Sequence, residues 1–165
     1  MSSDRSSAAP TATLHAEKLT TRIRRVNRAY ARFYGPMSLL VMLMSFFPYY
    51  SQEAESTTTY GNLWQEVLLT GHDTDVFALA VLLLTAGLLV PASVGRVSTT
   101  GLIGILTGSI IIGCTLLQSP GYVSPPALTI FGIVDIVLSF LIASVAVIHA
   151  FHLFALDLEF QQRLS

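Results

Sequence analysis

The sequence predicts an all-α, polytopic membrane protein: four transmembrane helices, preceded by a basic amphipathic helix, with both termini cytoplasmic. Three observations carry this. Only 12% of the 165 residues are charged against 52% hydrophobic, whereas globular domains carry about 25% charged residues. The apolar residues gather into four runs, near 36–50, 76–95, 101–118 and 127–153. Seven of the nine basic residues (Arg5, Lys18, Arg22, Arg24, Arg25, Arg28 and Arg32) precede the first run, and only Arg96 and Arg163 follow it.

The first 13 residues read as a tail, rich in Ser, Ala, Thr and Pro, that orders only on a partner. A secretory signal is not expected, because the first apolar run starts after some 35 residues and no small-residue cleavage site follows it. The Arg- and Ser-rich start also suits a mitochondrial transit peptide, against which Asp4 and Glu17 argue. Residues 14–34 show Leu19, Ile23, Val26, Tyr30 and Phe33 at helical spacing, flanked by Lys18, Arg22, Arg25 and Arg32, with Arg24 and Arg28 on the far side. Such a helix lies in the headgroup layer with its arginines on anionic lipid, docks on an acidic partner, or serves only as a positive-inside anchor. Gly35-Pro36 is expected to break or bend the chain into the membrane domain, 35–156.

A helix rises about 1.5 Å per residue, so about 20 residues cross a hydrocarbon core of about 30 Å. The second and third runs fit this length, the fourth exceeds it, and the first is short. Retention of Lys and Arg on the cytoplasmic side puts the outer loop 51–75 and the loop 119–126 outside, and Arg96 and the tail 157–165 inside. In the outer loop, Asn62 and Gln65 have the spacing of a capping pair for a short surface helix that Gly71 ends. Trp64 joins Phe46, Phe47, Tyr49 and Tyr50 in an aromatic belt, and the 60–71 segment is also placed to cap a ligand site.

In the third run, Gly101, Gly104 and Gly108 make small steps on one face; in the fourth, Gly132, Ser139, Ala143, Ala146 and Ala150 do the same. Small residues allow the close approach on which helix association in lipid depends. These two antiparallel helices are expected to pack together, or one groove to receive a partner's helix. Pro91 is expected to kink the second span.

Asp135 is the one acid within the spans, about nine residues in and roughly 12 Å below the outer edge. Thr85 and Ser109 reach a similar depth by the same counting, so Asp135, Thr85 and Ser109 are expected to form a polar cluster. It would bind a proton or cation, hold the helices in register, or contact another subunit. His149 and His152 are three residues apart on one helix and cannot clamp a haem from both faces. With a single cysteine, Cys114, there is no internal disulfide and no thiolate metal cluster.

No protease, zinc-site, Cys-x-x-Cys or phosphate-loop signature is found, so no enzyme, metal or cofactor is expected. A net charge of −1 suggests no nucleic-acid partner. The expected function is a non-catalytic accessory or scaffolding subunit of a larger membrane complex, respiratory or cell-envelope, in a bacterial inner membrane. Its expected partners are other membrane subunits and anionic lipids, through the small-residue faces and through Arg22, Arg24, Arg25, Arg28 and Arg32. The alternative is a small homo-oligomeric transporter or proton/cation channel using Asp135.

Overall fold

The computed structural model describes residues 8–51, 61–69, 73–118 and 126–162, with no side-chain detail for 8–16 and 69. These residues form five helices: α1 (Ala8–Met44), α2 (Leu63–Leu69), α3 (Asp73–Ser93), α4 (Thr99–Leu117) and α5 (Ile130–Gln162). The fold is all-helical. α3, α4 and α5 are long and apolar enough to cross a membrane. Residues 1–7, 52–60, 70–72, 119–125 and 163–165, among them Arg5, Gly71, His72 and Arg163, lie outside the described residues.

α1 corrects the expectation at its inner half. The amphipathic segment and the first apolar run are one 37-residue helix that passes through Pro36 without a break. Proline removes one backbone bond but is tolerated where neighbouring helices support the turn. Here Gly35 lies beside Ser93 of α3, whose Cβ is 3.6 Å from where a Gly35 Cβ would sit, an ordinary van der Waals contact. The helix also starts by Ala8, inside the segment read as a tail, with Pro10 in its first turn.

The apolar stripe of α1 does not lie free for lipid. Ile23, Val26, Tyr30 and Phe33 are half-buried and Asn27, Ala31 and Tyr34 buried, with Tyr30 and Phe33 packed on the core that also holds Leu153 of α5. α5 allows this because it continues to Gln162 rather than ending at 153. Arg22 closes the tip with an ion pair to Glu159 at 3.2 Å.

Two local features tie the bundle at opposite ends. At one end, the α3–α4 turn carries Gly95 at φ 73°, where a Cβ would lie 3.5 Å from the Arg28 backbone. At the other, the stretch after α1 pairs with the stretch before α5: Ser51 N donates to Ala127 O at 2.8 Å and Thr129 N to Tyr49 O at 2.9 Å, around a Tyr50–Leu128 bridge. Thr129 also accepts from Gly132 N as a helix cap. This pairing delays α5 until Ile130, three residues later than the apolar run begins.

α2 forms as its capping pair predicts. Gln65 N donates to Asn62 Oδ1 at 2.9 Å, and Asn62 N to Gln65 Oε1 at 3.1 Å. Trp64 stacks on Phe46 and donates its indole N–H to Ser45 Oγ at 2.9 Å, which docks α2 on the end of α1.

Candidate functional site

Two polar clusters lie inside the helices, one near each end. One, near the start of α5, centres on Asp135. Because α5 starts at Ile130, Asp135 is five residues into the helix, about 8 Å by helix rise, shallower than the sequence suggested. Its side chain is 0% exposed, so it faces its own bundle and not a neighbouring subunit.

Its neighbour is Tyr49, which the sequence placed in the aromatic belt. The Tyr49 phenol is within interaction range of the Asp135 carboxyl, yet neither Tyr49 Oη nor either carboxyl oxygen reaches aligned hydrogen-bond geometry. The backbone brings them together at Gly132, where a Cβ would lie 2.5 Å from Tyr49 O. Only the absence of a side chain three residues before Asp135 lets the strand-like 49–51 segment lie this close.

Thr85 and Ser109 are buried as well, but deeper, twelve residues after Asp73 in α3 and eight before Leu117 in α4. Thr85 Oγ1 donates to Val81 O of its own helix at 2.7 Å and rests over Gly108. Ser109 Oγ has no partner. The structure brings Thr85 to Gly108 and Tyr49 to Asp135, and no hydrogen bond joins Asp135, Thr85 and Ser109 to one another.

α4 and α5 pack on each other as expected, but not through the paired glycines. Gly104 faces Leu88 and Gly108 faces Thr85, both on α3; the paired glycines receive α3, not α5. α4 meets α5 at Gly113, where a Cβ would lie 3.0 Å from the Phe140 ring. On α5, Gly132, Ser139, Ala143 and Ala146 all point inward. The motif announces close approach and leaves its partner open.

The second cluster joins α1 to the far part of α5. His149 is 0% exposed. Its Nδ1 meets Tyr34 Oη at 3.2 Å and its Nε2 meets Asn27 Oδ1 at 2.9 Å. Tyr30 stacks on the ring with centroids 4.1 Å apart and meets His152 Nδ1 through its hydroxyl at 2.6 Å. A neutral imidazole has one donor and one acceptor, which this pair of partners satisfies. Both ring nitrogens of His149 are therefore engaged within the chain. The local signal was present in Asn27, Tyr30 and Tyr34 along one face of α1, but nothing local marks His149 as their partner.

Among the described residues no three His, Cys, Asp or Glu side chains come together as a metal-ligand set. Arg24, Arg25, Arg28 and Arg32 are exposed along α1, and only Arg22 forms an ion pair among the described residues. Comparison with known proteins finds no matching family model, no matching curated protein and no matching solved structure.

Proposed function

We propose that the chain is a non-catalytic accessory or scaffolding subunit of a larger membrane assembly, of the respiratory or cell-envelope kind, in a bacterial cytoplasmic membrane. The observation that carries this reading is enclosure. Asp135, Ser109, Thr85 and Ser139 are buried inside the chain's own bundle, while Leu84, Val90, Ile103 and Val137 project outward. Such a surface offers lipid or a neighbouring helix apolar packing, and offers a solute no polar lining.

In this reading α1 is a fourth crossing. It meets the α3–α4 turn at Arg28, and the stretch that follows its last residue, Met44, meets the start of α5 at Tyr49, which supports a path over the full height of the bundle. Its arginines and Arg96 fall at one end, favouring that end, and with it both termini, as cytoplasmic. Purification of the tagged full-length chain in a mild detergent tests the function. Stoichiometric recovery of unrelated membrane subunits is the expected result; a pure homo-oligomer would overturn it.

A second reading, a small oligomeric proton or cation transporter, is favoured by one observation: the carboxyl of Asp135 is buried without an aligned partner beside Tyr49. It requires that Asp135→Asn abolish ion flux in proteoliposomes. Equal flux from the variant removes that reading.

A further inference from the structure

We infer that the inner end of α1 binds an anionic phospholipid, its phosphate held by Arg28, Arg32 and Arg96 and an acyl chain lying along Leu39 and Leu43. The inference rests on the proposal that α1 crosses the membrane. Arg24, Arg28 and Arg32 recur every four residues and so form one line along the helix. All three are exposed. Among the described residues none of them has a carboxylate partner, since the single ion pair there is Arg22–Glu159. Arg96 joins them from the α3–α4 turn, which Gly95 presses against the Arg28 backbone.

The same side of α1 then turns apolar. Continuing past Arg32, it presents Pro36, Leu39 and Leu43, with Leu39 74% and Leu43 53% exposed. A line that passes from guanidinium to leucine within two turns has the polarity profile of an amphiphile. Charge complementarity selects a negative headgroup, and guanidinium pairs with phosphate oxygens in a fork geometry. An acidic peptide would answer the arginines but leave the leucines without a role.

The upright packing of α1 on α5 sharpens the choice of residues. With the apolar stripe held by α5, the helix rises away from the α3–α4 turn. Lys18, ten residues before Arg28, then lies about 15 Å beyond the turn, outside a Debye length of about 8 Å at physiological salt. Lys18 serves as the internal control.

The test is native mass spectrometry of the full-length protein released from nanodiscs of equal phosphatidylglycerol and phosphatidylcholine. The wild type should retain phosphatidylglycerol preferentially. Combined R28Q, R32Q and R96Q should cut that preference at least about tenfold, given the roughly 1 kcal/mol each basic residue contributes near an anionic surface, while K18Q leaves it intact. Equal retention of the two lipids by the wild type would overturn the inference, whatever the variant's stability. So would an unchanged preference in the triple variant. The topology is read separately, by membrane-impermeant thiol labelling of Thr21→Cys and Leu68→Cys in a Cys114→Ser background. Labelling of both from one side overturns the crossing of α1; labelling from opposite sides with no lipid preference overturns only the lipid site.

Discussion

Asn27 and His149, 122 residues apart in sequence, are joined by a 2.9 Å hydrogen bond in the buried seam between α1 and α5. With Tyr30 stacked on the ring and Tyr34 on the opposite nitrogen, this seam fixes where the basic arm leaves the bundle. Polar contacts of this kind are specific in a way that apolar packing along α1 alone is not, because any slip of one turn leaves buried groups unpaired.

His149→Ala should therefore be among the most destabilising substitutions in the chain. It removes a fully buried ring and leaves Asn27 and Tyr34 unpaired, a loss of about 2–4 kcal/mol. His152→Ala, at an exposed position, should cost less than about 1 kcal/mol. Denaturation of the full chain in one detergent compares the two.

The glycines should rank by what a methyl group meets. Gly132→Ala drives a Cβ against the Tyr49 carbonyl, and Gly108→Ala against Thr85. Each should cost about 1–3 kcal/mol as overpacking. Gly104→Ala meets only the tip of Leu88, 2.6 Å away on a flexible chain, and should be mild. Thr85→Ala should partly rescue Gly108→Ala by removing Oγ1, a coupling that a double-mutant cycle in thermal unfolding detects.

Asp135→Asn should stabilise the bundle. The carboxyl is enclosed without an aligned partner, and an unpaired buried charge opposes folding more than a neutral amide of the same shape. A gain of about 1–2 kcal/mol at neutral pH is expected. Tyr49→Phe should be neutral or slightly stabilising, since the hydroxyl it removes also lacks an aligned partner. A marked loss of stability in either variant would mean that the two groups bond each other strongly.

Glu159→Gln should do little. The Arg22–Glu159 pair is exposed on both sides, and pairs of this kind contribute about 0–1 kcal/mol, screened by salt. Melting temperatures with and without 0.5 M salt (about a 4 Å Debye length) should agree for this variant more closely than for the wild type.

What could be read from the sequence was what its local chemistry dictates. Apolar run length identified α3, α4 and α5, and the Asn62–Gln65 spacing located the start of α2. Prediction failed where a non-local partner decides. Gly35-Pro36 was expected to break or bend the chain, and no break occurs: Gly35 packs beside Ser93 and the helix continues to Met44. Gly104 and Gly108 marked a close approach without saying that α3 makes it. Counting residues inward placed Asp135 from the start of the apolar run, whereas α5 starts at Ile130. The 49–51 and 127–129 pairing moved that start and put Tyr49 beside the acid.

The unbroken course of α1 through Pro36 also sets a rotational phase. Residues before and after the proline keep a fixed angular relation, so the side on which the arginines stand is dictated by how the apolar part of the helix sits against α3. One residue inserted between Arg32 and Gly35 would swing the whole arm by about 100° and take Asn27 and Tyr30 off the His149 seam. Seven inserted residues, about two turns, would restore the bearing while displacing the arm by about 10 Å. The arm is aimed by the helix that carries it, and the proline leaves that aim intact.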